Sequence, residues 1–233
     1  MAELQVLRVF CGPDGTGGNP LGVFLNGSAI PRPERQAVAE ELGYSETVFV
    51  DDPSSGTLQI FTPAVELPFA GHPLVGTAWL LAKQGQAPAA LRPPAGEVPA
   101  RVEGERAFVA GRPEWQPDYE LMELSSPEEV EALAGPPPSE RDLPAVYAPV
   151  GDDAVRVRVF PVALGIPEDE ATGSAAIRLG ALLQRPFTIH QGKGSVIDVA
   201  PREDGYVEIG GLVVSDHATE APPASSTDAP TTK

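Results

Sequence analysis

Three short stretches carry side chains that could hold or move a proton. Ser45-Glu46 opens a β-rich run from Tyr44 to Val50. Gly71-His72 stands just before a helical pattern running from Pro73 to Lys83. Glu168-Asp169 leads into Ala171-Thr172-Gly173-Ser174-Ala175-Ala176, and apolar residues at helical spacing follow at Leu179, Leu182 and Leu183. A glutamate in a closed, partly apolar cleft has its pKa raised by burial and can serve as both base and acid. The free N–H groups of a first helical turn attract anions. Two helix starts beside acidic and hydroxyl side chains therefore suit a small carboxylated molecule. Each stretch also has a plainer use. Glu168, Asp169 and Thr172 are residues that cap helices. His72 suits a cap or a packing position, and Glu46 suits an exposed strand edge.

Composition removes several alternatives. The chain has 233 residues, 42% of them hydrophobic, which is enough for one large or two small packed domains. A net charge of -17 disfavours nucleic acid and anionic membrane surfaces as partners. The single cysteine, Cys11, excludes an internal disulfide framework and a cysteine-based zinc site. No second His or Cys lies at ligand spacing from His72, so no metal is expected there. The stretch Met-Ala-Glu-Leu-Gln-Val lacks a basic region followed by an apolar core. The reading is therefore a cytoplasmic chain without a membrane span.

The elements needed to position these residues are legible in order. Leu4 to Phe10 and Leu21 to Leu25 read as strands around the loop Gly12-Pro13-Asp14-Gly15-Thr16-Gly17-Gly18-Asn19-Pro20, whose spacing fits no nucleotide-binding loop. Pro33 to Leu42 reads as a helix stopped by Gly43. Leu58 to Phe61 is a strand, and short strands fall near 99–102 and 107–110. The segment from Gly111 to Asp118 reads as a crossing into a second half. Ser126-Pro127-Glu128-Glu129 opens a short helix. Alternation of Val155, Val157 and Val159 against Arg156 and Arg158 marks a strand. Further strands fall at 187–190, 196–199, 206–209 and 212–214. From Asp216 the chain turns to Ala, Pro, Ser and Thr, the composition of a disordered tail. The expected division is 1–112, 113–215 and a tail at 216–233.

The two halves echo each other. With Pro63 laid on Pro161, the strand ends Phe61-Thr62-Pro63 and Val159-Phe160-Pro161 superpose without gaps. Gly71 then falls on Asp169, and His72 on Glu170. The expectation is an α+β fold of two pseudo-symmetric lobes, each a barrel-like, mostly antiparallel sheet around one helix. Both helix N-termini would point into a cleft between the lobes.

These motifs resemble the phenazine-biosynthesis PhzF-like family, which has the diaminopimelate-epimerase fold. The resemblance rests on Gly18-Asn19-Pro20-Leu21-Gly22-Val23, Ser45-Glu46-Thr47-Val48-Phe49, Phe61-Thr62-Pro63 with Glu66, and Gly71-His72. It continues with Glu168-Asp169, Ala171 to Ala176, and Gln191-Gly192. It implies a homodimeric isomerase that works without metal or organic cofactor. One glutamate, Glu46 here, would move a proton within a dihydro-hydroxyanthranilate-like substrate. Gly71, His72, Asp169, Gly173 and Ser174 would surround that substrate. The chain departs from the family pattern at Arg8, at Glu170 in place of a proline, and at Gly194-Ser195-Val196 in place of a Gly-Arg-Pro-like segment. These departures keep two alternatives open: a catalytically silent binding or scaffold relative, and an epimerase or double-bond isomerase of an antibiotic precursor.

Overall fold

In the computed structural model, which describes residues 3–220, the chain begins with β1 (Glu3–Cys11) and β2 (Asn19–Phe24). They pair antiparallel from Leu4–Phe24 to Val9–Asn19, which fixes where the glycine-rich loop closes. Arg8 holds that loop. Its guanidinium donates to the Gly15 and Gly17 carbonyls at 2.7 and 2.8 Å and pairs with Asp216 at 2.8 Å. Helix α1 (Arg35–Leu42) ends at Gly43, whose φ of 67° lies in the left-handed region that glycine adopts without a steric cost. The chain returns as β3 (Glu46–Asp52), parallel to β2. Next come β4 (Thr57–Phe61), β5 (Glu66–Leu67) and α2 (Gly71–Lys83). The first half closes with β6 (Ala90–Leu91), β7 (Val98–Glu103) and β8 (Arg106–Gly111).

The same order then returns. Strand β9 (Glu120–Glu123) leads through α3 (Pro127–Glu131), capped by Ser126 Oγ accepting from the Glu129 N–H, to the parallel β10 (Pro144–Val150). Strand β11 (Ala154–Val159) runs antiparallel to β10, as β4 does to β3. Helix α4 (Gly173–Leu183) follows, and then β12 (Phe187–Gln191), β13 (Ser195–Pro201) and β14 (Val207–Glu220). The repeat of strand, crossover helix, parallel strand, return strand, helix and three strands makes the echo of the halves physical.

Strand β14 stitches the halves together. Residues Val207–Leu212 pair with β8, and Leu212–Glu220 pair with β1. One hydrogen-bonded order runs β5-β4-β3-β2-β1-β14-β13-β12-β11-β10-β9. The open edge of β1 demands such a partner. This pairing corrects the expected start of the tail, because regular strand continues past residue 216 to Glu220. Residues 221–233, the rest of the expected tail, lie outside the described residues.

The architecture is mixed α+β and dominated by sheet, as expected. The two halves differ in how they enclose their helices. Helix α2 is buried from Gly71 to Leu81 and touches β1, β2, β3, β7, β8 and β14. Helix α4 is buried along one face, against β13 and β14, and leaves Leu182 exposed. At roughly 1.5–3 kcal/mol per fully buried aliphatic side chain, Leu74, Val75 and Leu81 make α2 a rigid support for its own first turn.

Candidate active site

The first turns of α2 and α4 meet. A Cβ on Gly71 would lie 2.9 Å from Gly173 Cα, and a Cβ on Gly173 would lie 2.9 Å from Gly71 Cα and 3.1 Å from the His72 nitrogen. Glycine is needed at both places by close approach of backbones. The gapless overlay of the halves is therefore corrected: Gly71 stands opposite Gly173 and not at the place of Asp169. The cause is a longer second loop. Ten positions separate Phe61 from Gly71, and fourteen separate Val159 from Gly173. A one-turn 3-10 helix, Val162–Leu164, takes up the difference. His72 also lies inside α2, in its first turn, because the helix starts at Gly71 rather than Pro73.

Neither helix start is capped by a side chain. Ala70 and Thr172 occupy the cap positions without a side-chain hydrogen bond to the helix. The plainer capping use of this segment is thus absent. Thr172 Oγ1 instead donates to Asp169 at 2.6 Å, and Glu168 forms a two-pronged pair with Arg158 at 2.7 and 2.8 Å. The free N–H groups of two meeting helix starts leave a site of positive potential for an anion.

Glu46 begins β3, directly beside this seam. Its Oε2 lies 3.1 Å from His72 Nε2, and the two side chains are 16% and 5% exposed. Burial pushes the Glu46 carboxyl up to about 7, and only the Ser45 hydroxyl opposes the rise. Burial holds His72 down to about 4, against the charge of Asp169 and the Pro20 carbonyl, which favour its protonated form. The contact is therefore one between a carboxyl and a neutral imidazole, not an ion pair. Among the described residues neither Oε2 nor Nε2 has an aligned hydrogen-bond partner. Buried polar atoms without partners are costly, and these two stand together beside the seam.

Asp169 is held in the opposite manner. Its Oδ1 accepts from Asn19 Nδ2 at 2.8 Å and its Oδ2 from Thr172. Its backbone carbonyl accepts from Gln191 Nε2 at 2.9 Å, and Gln191 also bonds both the hydroxyl and the N–H of Thr172. Burial raises the Asp169 carboxyl, while Thr172, His72 and Asn19 oppose the rise. Ser174, in the first turn of α4, shares a hydrogen bond of 2.9 Å with the Tyr119 hydroxyl.

The structure thus gathers Glu46, Gly71, His72, Asp169, Gly173 and Ser174 around one seam. It adds residues that received no role from the sequence. Asn19 and Gln191 lie in stretches quoted for the resemblance, so a signal existed. Tyr119 closes the crossing segment after Asp118, and no spacing marks it. The departures at Glu170 and Ser195 compensate each other. Glu170 Oε1 accepts from the Lys193 N–H at 2.7 Å and from Ser195 Oγ at 2.8 Å, and Ser195 Oγ accepts from the Gly18 N–H at 2.8 Å.

Paired halves that present two uncapped helix starts to a buried carboxyl define a recognisable class. A phenazine biosynthesis PhzC/PhzF protein from Clostridium difficile superposes with a TM-score of 0.78 at 19% identity, covering 96% of this chain and all of that one. A hydroxyproline epimerase from Agrobacterium vitis shares the fold at a TM-score of 0.64 and 11% identity, with 97% and 93% of the chains covered. Residues 9–159 match the family described as phenazine biosynthesis-like protein. The trans-2,3-dihydro-3-hydroxyanthranilate isomerase of Pseudomonas fluorescens is 31% identical over 220 residues, covering 76% of this chain and 78% of that protein. The chain belongs to the phenazine biosynthesis-like family and is an isomerase of that type.

Proposed function

We propose that this chain moves a proton within a small, carboxylated, unsaturated ring compound of the dihydro-hydroxyanthranilate kind, with Glu46 as the acid and base and with no cofactor. One observation carries the reading. The Glu46 carboxyl is buried, titrates near neutrality and faces a neutral imidazole beside two uncapped helix starts. In that position the ionised carboxylate takes a proton from a ring carbon. The C–H electron pair becomes a C=C bond, and the double bond it displaces takes the same proton back from Glu46 at a further carbon. No oxidant or reductant is needed. His72 and Asp169 hold the ring's polar substituents, and the helix starts at Gly71 and Gly173 hold its carboxylate. The reading also takes two copies of the chain to work as a homodimer, which sedimentation velocity would test.

The deciding experiment is incubation with trans-2,3-dihydro-3-hydroxyanthranilate in heavy water. Product carrying solvent deuterium is expected. Glu46→Gln should lower turnover by about a thousandfold, within the span for loss of a positioned acid–base group, while folding and ligand binding persist. Retained turnover would remove Glu46 from the mechanism. Binding without exchange, across a range of cyclic amino and hydroxy acids, would favour a catalytically silent relative.

A further inference from the structure

Tyr119 has no part in the proton shift described above, yet it is among the most enclosed polar residues at the seam. It is 3% exposed and stands one residue before β9, in the connector between the halves. Its hydroxyl lies 2.9 Å from Ser174 Oγ in the first turn of α4. Burial, with the charges of Asp169 and Glu46 nearby, pushes its phenol up to about 12, so it remains a neutral hydroxyl.

Proton accounting gives the pair a direction. Two hydroxyls carry two protons, and the contact between them uses one. Among the described residues neither oxygen shows another partner, so one hydroxyl proton is uncommitted. It lies at the start of α4, whose first N–H groups carry no side-chain cap. A hydroxyl proton beside free backbone N–H groups is a donor set for a carboxylate.

We propose that Tyr119 is a positioning residue: its hydroxyl fixes Ser174 so that the spare proton of the pair is presented, with the α4 N–H groups, to the carboxylate of the substrate. The proposal rests on reading the seam as a site for a small carboxylated molecule. It adds a requirement that reading does not contain, namely that the carboxylate depends on a residue outside both helix starts.

Two unreactive probes test it by calorimetry. 3-Hydroxyanthranilate carries the carboxylate, and 2-aminophenol is the same ring without it. Tyr119→Phe should weaken 3-hydroxyanthranilate about tenfold, the loss expected for one hydrogen bond towards a charged group, and leave 2-aminophenol unchanged. Ser174→Ala should do the same, and the double variant should be no weaker than Ser174→Ala alone. In turnover the loss should fall on KM rather than kcat. Equal losses for both probes, additive losses in the double variant, or unchanged binding in either single variant would overturn the proposal. Ser174→Ala keeps the question answerable if Tyr119→Phe folds poorly. A wild-type protein that binds neither 3-hydroxyanthranilate nor benzoate would overturn the carboxylate site itself. Absence of deuterium exchange with carboxylate binding still dependent on Tyr119 would overturn only the isomerase reading.

Discussion

Glu46 and Asp169 are two buried carboxyl groups on opposite sides of one seam, and the structure holds them in opposite ways. Asp169 is wrapped in donors: Asn19 on one oxygen, Thr172 on the other, and Gln191 on its backbone carbonyl. Glu46 presents Oε2 to His72 without an aligned donor. Burial raises both; Thr172, His72 and Asn19 oppose the rise at Asp169, and the Ser45 hydroxyl alone opposes it at Glu46. Residue type does not assign a role in such a site. Under the proposed function the supply of donors does: Glu46, with few, is the carboxyl assigned to trade a proton, and Asp169, with many, the one assigned to attachment.

The pH dependence of stability offers the largest test of this contrast. Glu46 titrates at about 7 in the fold against 4.5 unperturbed. Its raised pKa contributes stability that is complete below about 4.5 and lost as the pH rises through 7. His72 titrates at about 4 against 6.5, so its contribution is present above 6.5 and lost as the pH falls through 4. Between 4.5 and 6.5 the folded pair is a carboxylic acid with a neutral imidazole. The unfolded pair there is a carboxylate with an imidazolium. Both hold one proton, so the pair gives wild-type stability no slope in that window. Glu46→Gln breaks the compensation. At pH 8 it should be more stable than wild type, by on the order of 3 kcal/mol. Between pH 6.5 and 4 it should lose a similar amount through His72 alone. Urea unfolding at pH 4.5, 6 and 8 reads both effects, and parallel pH profiles for the two proteins would contradict the assignment.

The other carboxyl should respond to loss of a donor. Asn19→Ala removes the bonds to Asp169 Oδ1 and to the Ala171 carbonyl. A buried acceptor left without a partner costs about 1–3 kcal/mol. The carboxyl pKa should rise further, so the destabilisation should be greater at pH 8 than at pH 4. Thermal melts at both values test this, and a loss independent of pH would mean that Asp169 is not the group affected.

How much of this was legible in the sequence follows from the range of each interaction. Glu46, Gly71, His72, Asp169, Gly173 and Ser174 lie in short motifs, and short motifs report local structure: a strand entry, a helix start, a small-residue turn. A gapless overlay of the halves misses the meeting of Gly71 with Gly173, because a loop four positions longer shifts it. The start of α2 reads two residues late from the sequence because Pro73 suits a first turn, and Gly71 and His72 do not look helical in isolation. Tyr119 and the Gly18–Ser195–Glu170 chain were invisible for a different reason. Each joins residues tens to hundreds of positions apart, and a single sequence carries no record of such pairs.

Glu170 gives the smallest predicted effect and the sharpest limit on the contrast. It follows Asp169 directly, yet its carboxylate is taken up by the Lys193 N–H and the Ser195 hydroxyl. It ties the turn at Gly192–Ser195 to the Gly18 loop of the first half. A Cβ on Gly192 would meet the Glu170 carboxyl, so that group packs directly against the turn. Glu170→Ala removes two acceptor contacts of a half-exposed group, and Ser195 keeps its bond from Gly18. The expected cost is about 1 kcal/mol. Glu170→Gln should cost less, because its amide oxygen still accepts at the same place. Both variants should keep kcat and KM within about twofold of wild type, since the donors to Asp169 come from Asn19, Thr172 and Gln191. A tenfold loss of kcat/KM in either variant, with the fold intact by thermal melt, would show that Asp169 is positioned through its neighbour as well. The separation between an attached carboxylate and a merely structural one would then fail at this end of the seam.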